Sequence, residues 1–147
     1  MTQSMSEEPE HPPPDYHSIP PRRPPIECIR TTAAPEPPSR SSQAFKVNGT
    51  IYVAAQIAAA PRVGFVIGPP TVIAERIFLN IEAILKAAGS SLDRIVKTTV
   101  YVTDSAHGVP EFEAVYKRKL PFAPPRTTVL VSKMENPDIQ MEVIAVE

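Results

Sequence analysis

Residues 71–103 read TVIAERIFLNIEAILKAAGSSLDRIVKTTVYVT, and the change of period inside this stretch decides the fold. In its first part Ile73, Ile77, Ile81, Ile84 and Ala88 recur at spacings of four, four, three and four, which places them along one stripe of a helix. Phe78 and Leu85 widen the stripe, while Glu75, Glu82 and Lys86 lie away from it. The spacing predicts a core helix over 71–88, with Thr71 as N-cap and Gly89 just beyond the C-cap. From Ile95 the period becomes two. Val96, Thr98, Val100 and Val102 share one face of a strand rich in β-branched residues, and Ile95, Lys97, Thr99, Tyr101 and Thr103 share the other. The first face suits packing beneath a helix. The second is too apolar for open water and too polar for a dry core, as expected at a subunit contact or a ligand cleft.

Upstream, Asn48-Gly49 separates Phe45–Val47 from Ile51–Ala55, the strongest short-range hairpin signal in the chain. Ile26–Thr32 reads as a first short strand and Pro35–Arg40 as a loop, and a stretch rich in Ala, Pro and Gly runs to Pro70 as a further loop. Downstream, Pro110–Leu120 is a second helix with Phe112, Val115 and Tyr116 as its buried stripe, and Pro121 stops it. Thr127–Val131 and Ile139–Val146 close the chain as strands. This order indicates an α+β layer with both helices on one face of the sheet. Two helices cover only one side. The other must be solvated or buried by another copy, and its mixed composition favours the copy.

At 147 residues the chain holds one domain with a proper core. Eight of the 19 prolines fall within the first 25 residues, where there is almost no apolar run to offset the entropy of ordering. Residues 1–25 are expected to be a disordered tail and 26–147 the folded domain. Pro20-Pro21-Arg22-Arg23-Pro24-Pro25 favours a polyproline II conformation, either as a stiff solvated leader or as a ligand for a proline-binding groove. The net charge of −1 gives no whole-protein field toward nucleic acid or membrane. No apolar stretch approaches the roughly 20 residues needed to span a bilayer. The N-terminus lacks the apolar core of a signal peptide, and Glu7, Glu8 and Glu10 make it a poor transit peptide, so a cytoplasmic location is expected.

No metal motif, phosphate loop or nucleophile–base pair is apparent, so no metal or cofactor is expected. His107, beside Gly108, reads as a turn residue. Cys28 reads as a small strand residue, because nothing nearby in the sequence would lower its pKa. Two charged residues stand out. Arg126 follows Pro124-Pro125 at the mouth of a strand, where a rigid guanidinium could grip a carboxylate bidentately. Glu142 sits mid-strand among apolar residues and shares a face with Ile144 and Val146, a place where an acid needs a partner or a task. From the residues alone, a functional pair and a structural salt bridge between the two are equally supported.

Several ordered motifs point further. Ile29–Ala44 (IRTTAAPEPPSRSSQA), Gln56-Ile57, Asn80 to Leu92 followed by Asp93 and Ile95 to Val100, Thr103-Asp104, Phe112 to Tyr116, Pro125-Arg126-Thr127 and Met141 to Val146 succeed one another over residues 27–147. In this order the chain resembles the Rid (YjgF / L-PSP) family. The resemblance implies a chorismate-mutase-like α+β fold, a homotrimer with clefts between subunits, and hydrolysis of reactive enamines and imines to 2-oxo acids and ammonia. It further implies that Arg126 binds the carboxylate of a small-molecule substrate, that the backbone around Thr128 contacts the imine end, and that Glu142 orients or activates the attacking water. The chain departs from the family pattern where Ser41, after Arg40, replaces a Tyr, where Ala55 replaces a Gly, and where Glu113 replaces an Asn. Arg40, Ser41 and Ala55 are therefore expected to reshape the substrate pocket.

Two other functions fit the same residues. One is a non-catalytic ligand-binding or regulatory trimer, suggested by Ser41 and Ala55. The other is action on RNA, which the family's older descriptions as ribonuclease and translation inhibitor raise. The only basic cluster, Lys117-Arg118-Lys119, lies on a helix without an aromatic platform, which argues for a solvated face and against nucleic acid.

Overall fold

Asn48 and Gly49 adopt positive φ angles of 50° and 75°, the geometry of a two-residue hairpin turn whose twist matches its strands. They join β2 (Ala44–Val47) to β3 (Thr50–Gln56), and β1 (Glu27–Ile29) pairs with the outer edge of β2. The computed structural model describes residues 23–103, 109–134 and 138–147. The expected tail, residues 1–25, lies almost wholly outside the described residues, and so does the turn at His107.

The segment after β3, expected to be loop, contains a small hairpin of β4 (Ala59–Ala60) and β5 (Gly64–Phe65). It leads into α1 (Pro70–Ala87). Thr71 is not the N-cap. The helix begins one residue earlier, with Pro69 extended at the cap position and Pro70 in the first turn. A proline there has no N–H to leave unsatisfied, so no side-chain cap is required. At the other end Gly89 has a φ of 80°, with the N–H of Ser90 on Leu85 O at 2.8 Å and that of Gly89 on Lys86 O at 3.1 Å. These two bonds make the left-handed C-terminal motif expected of Gly89.

The remaining elements are β6 (Ile95–Thr103), α2 (Pro110–Lys119), β7 (Arg126–Val131) and β8 (Ile139–Val146). The six-stranded sheet has the order β1-β2-β3-β8-β6-β7, antiparallel except for the β6–β7 pair that α2 connects. Ile51 and Val53 of β3, Thr98, Val100 and Val102 of β6, and Met141, Val143 and Ala145 of β8 are buried beneath the helices. Ile77, Phe78, Ile81, Ile84 and Leu85 of α1, with Phe112, Val115 and Tyr116 of α2, fill the other side of the core.

One expectation about β6 fails. Ile95 is buried and Val96 is 44% exposed, the reverse of the simple alternation. The register against β8 slips between Ile95 and Lys97, so an extra residue turns Val96 outward and Ile95 inward. From Lys97 to Val102 the alternation holds, and Thr103 at the strand's end is buried beside Val102.

Two buried amides pin the loops around the sheet. Gln43 accepts the N–H of Thr31 at 2.8 Å and donates to the carbonyls of Thr31, Ala34 and Pro35 at 3.0, 3.3 and 3.0 Å. Asn80, fully buried within the helical stripe, donates to Ile57 O at 3.0 Å and Ala59 O at 2.9 Å and accepts from Arg76. Both satisfy backbone groups that no sheet or helix partner reaches.

Candidate active site

The face of the sheet away from the helices carries Glu142. It stands across from Thr99 on β6, and the hydroxyl of Tyr101 donates to its Oε1 at 3.0 Å. That hydrogen bond to a carboxylate, helped by partial burial, holds the Tyr101 phenol above its ordinary pKa. Glu142 borders a depression of about 440 Å³ shared with Arg40, Ser41, Phe45, Tyr52 and Ala54. It also borders a smaller hollow of about 190 Å³ with Tyr52, Lys97 and Thr99. Ala55 is half-buried and does not line the depression, because the β3–β8 register slips between Val53 and Gln56 and Ala54 takes that place.

Arg126 lies elsewhere. It opens β7, the edge strand, and pairs in register with Thr98, whose hydroxyl is 2.6 Å from Tyr116 Oη on the helix side. The guanidinium carbon rests 4.4 Å from the Tyr116 ring centroid and 5.9 Å from that of Phe112. Stacking of this kind fixes a guanidinium plane while leaving its edges for hydrogen bonds. Those edges are engaged. Nη1 and Nη2 donate to the two Glu113 carboxylate oxygens at 2.9 and 2.8 Å, and Nε donates to Thr128 Oγ1 at 3.1 Å.

Within one protomer, then, Arg40, Ser41 and Glu142 come together on one face of the sheet. Arg126 and Thr128 come together on the other, at its edge. A direct Arg126–Glu142 salt bridge is not formed, since each has a different partner. Sequence reasoning missed the tether from Tyr101, although the mixed face of β6 was its signal. It also treated Phe112 and Tyr116 only as core, and it noted Glu113 only as a departure.

Two further readings are corrected or sharpened. The thiol of Cys28 is exposed and is held below its usual pKa, first by a hydrogen bond to Ser42 Oγ at 3.6 Å and then by Arg30. Arg30 stands only two residues along the chain and was overlooked as a nearby charge, whereas Ser42 is brought alongside by β1–β2 pairing. In the basic cluster, Arg118 and Lys119 both pair with Glu75 of α1, while Lys117 and Arg118 remain exposed to solvent. Among the described residues no group of three His, Cys, Asp or Glu side chains could hold a metal ion, and no helix is long and apolar enough to cross a membrane.

The sequence profile of the family described as Endoribonuclease L-PSP matches residues 31–147. The chain is 39% identical over 121 residues to Protein MMF1, mitochondrial, of Saccharomyces cerevisiae, covering 81% of this chain and 83% of that one. It is 32% identical over 126 residues to a 2-iminobutanoate/2-iminopropanoate deaminase of Dermatophagoides farinae, covering 83% and 97%. Among solved structures, E. coli TdcF with bound serine superposes with a TM-score of 0.75 at 27% identity, covering 82% of this chain and 98% of that one. The sheet order, the two helices on one face and these likenesses agree: the chain belongs to the Rid (YjgF / L-PSP) family.

Proposed function

We propose that this protein is a hydrolytic deaminase that converts 2-imino acids, and the enamines in equilibrium with them, to 2-oxo acids and ammonia. The observation that carries the reading is Glu142, a carboxylate held by Tyr101 at the rim of an open depression with no cation paired to it among its described contacts. Such a group can hold and deprotonate water. In the proposed reaction Glu142 takes a proton as the water oxygen bonds to the imine carbon, and the C=N electron pair moves to nitrogen. The proton then passes to the nitrogen of the carbinolamine. The C–N bond breaks as the hydroxyl gives its proton, through Glu142, to the departing nitrogen and becomes the carbonyl, giving ammonia and a 2-oxo acid. General-base assistance of this kind is worth roughly 100- to 10,000-fold.

Arg126, stacked and aimed by Tyr116, is assigned to the substrate carboxylate, with the backbone around Thr128 beside the imine nitrogen. Because Arg126 and Glu142 occupy different faces, we assign the working site to a homotrimer. There the Arg126 edge of one protomer meets the Glu142 face of the next, and proximity then lowers the barrier by several kcal/mol. Exposed Phe45 and Tyr52 on that face support burial by another copy. The same reading places the protein in the cytoplasm and gives it no nucleic-acid partner, since two residues of its basic cluster are engaged by Glu75. A regulatory, ligand-binding trimer is the second reading, and the Glu113 carboxylate already seated on Arg126 is what favours it.

The test is release of 2-oxo acid from imines generated in place by an amino-acid oxidase, comparing wild type with Arg126→Ala and Glu142→Gln. Acceleration by wild type and by neither variant is the expected result. Equal acceleration by all three would remove both assignments, and none by wild type across several amino acids would favour the regulatory trimer.

A further inference from the structure

We propose that Glu113 is an internal carboxylate that competes with anionic ligands for Arg126 and so sets which imines the site accepts. The inference rests on the assignment of Arg126 to carboxylate binding, and it deepens that assignment.

A guanidinium can offer a carboxylate two parallel donors either from its terminal edge or from the edge that includes Nε. Glu113 takes the terminal edge with both of its oxygens, at 2.8 and 2.9 Å. Thr128 Oγ1 takes Nε at 3.1 Å, which breaks up the other edge. Tyr116 and Phe112 lie against the guanidinium. No bidentate berth remains, and a substrate carboxylate must displace Glu113 to obtain one. The charge follows the same pattern. An arriving anion meets an ion pair close to neutral rather than a free cation, so the attraction that would hold it is largely offset.

The displacement is physically accessible. Glu113 sits near the start of α2, its side chain is 49% exposed, and water can receive its carboxylate when it rotates away. The Arg126 side chain is only 22% exposed and stacked, so it stays in place. The exchange therefore swaps one carboxylate for another on a fixed cation. An uncharged imine, such as one formed from an amino-acid amide, has no carboxylate to place and makes no such exchange. Glu113 thus weakens binding of anionic imines selectively and narrows the difference between anionic and neutral substrates.

The experiment compares the full-length wild-type protein with Glu113→Gln, which keeps the side-chain shape and removes the charge. Pyruvate binding by titration calorimetry is the first readout, because it needs no turnover. We expect Glu113→Gln to tighten pyruvate binding roughly two- to fivefold, the range set by removing a partly exposed competing ion pair. In kinetics the same factor appears as a lower KM for 2-imino acids with kcat unchanged, while the imine of an amino-acid amide shows no change. Adding Arg126→Ala to Glu113→Gln abolishes the gain. Should Glu113→Gln fail to fold, Glu113→Ala is read in the same way. Unchanged or weaker pyruvate binding, or an equal gain for charged and neutral imines, overturns the proposal. Tighter pyruvate binding without turnover of any imine sustains the role of Glu113 and removes the deaminase reading instead.

Discussion

Arg126 and Glu142 lie on opposite faces of one sheet, on strands β7 and β8 that flank β6. No side-chain rotation brings them onto one substrate within a protomer, so the proposed chemistry requires a second copy. Complementation tests this. Arg126→Ala and Glu142→Gln are each expected to be inactive alone. Mixed in equal amounts, unfolded and reassembled together, they would place an intact Arg126 beside an intact Glu142 in about one contact in four of the proposed cyclic trimer. Recovery of about a quarter of wild-type turnover is therefore expected. No recovery, with mixed trimers demonstrated by mass, would locate both groups in one protomer.

Tyr101 has no assigned contact with substrate, yet its hydroxyl is the described hydrogen-bond donor to Glu142. Its removal leaves the carboxylate free to rotate. A hydrogen bond to a charged group is worth about 1.5 kcal/mol or more, and loss of that much at the transition state lowers a rate about tenfold. Tyr101→Phe should reduce kcat by about this factor with little change in KM. A fall in KM-linked binding alone would mean that Tyr101 acts on the pocket and not on Glu142.

The same pair fixes a pH dependence. The folded-state pKa of Tyr101 lies above its unfolded value, because ionisation would cost the bond to Glu142 and set two anions side by side. The stabilisation is thus complete below the ordinary phenol range and is lost as pH rises through the folded-state value. Phenolate absorbance should show a late-titrating component in wild type that Tyr101→Phe lacks. An unchanged titration curve would contradict the tether.

Gln43 and Asn80 are expected to matter to stability more than their polarity suggests. Each ties loop carbonyls to a buried amide, and truncation removes those hydrogen bonds from the interior. Gln43→Ala and Asn80→Ala should each destabilise the fold by about 2–4 kcal/mol. The denaturant midpoint should fall with an unchanged slope. Losses below about 0.5 kcal/mol would show that water replaces both amides readily.

What was legible in the sequence follows from how locally each feature is decided. The helix from Ile73 to Ala88, the hairpin at Asn48-Gly49 and the bounds of β6 depend on neighbours a few residues away, and periodicity exposes them. The bulge at Val96 depends on where β8 pairs, which no local pattern states. Arg126 was visible as a guanidinium at the mouth of a strand, and Glu142 as an acid within an apolar one. Their placement on opposite faces is set by register against β6, where Arg126 stands beside Thr98 and Glu142 beside Thr99, so a salt bridge between them remained open until the pairing was known. Glu113 grips Arg126 across 13 residues of sequence and a change of element, and its charge gave no hint of that partner. Thr71 misled because a good capping residue stood one turn position inside a helix that proline could start unaided.

Glu75 ties the two helices together through Arg118 and Lys119, and the hydrogen bond from Arg118 is the first cause of its lowered carboxyl pKa. Because the folded value lies below the unfolded one, the contribution is present above the ordinary carboxylate range and is lost as pH falls through the folded-state value. Water reaches all three side chains, so screening keeps the effect small. Glu75→Gln is expected to lower stability by less than about 1 kcal/mol at neutral pH. The difference from wild type should shrink as acid protonates Glu75 and should also shrink with added salt. Denaturant melts at several pH values and salt concentrations measure this directly. A loss that persists in acid would mean that Glu75 stabilises the helix pair by packing, with its charge incidental.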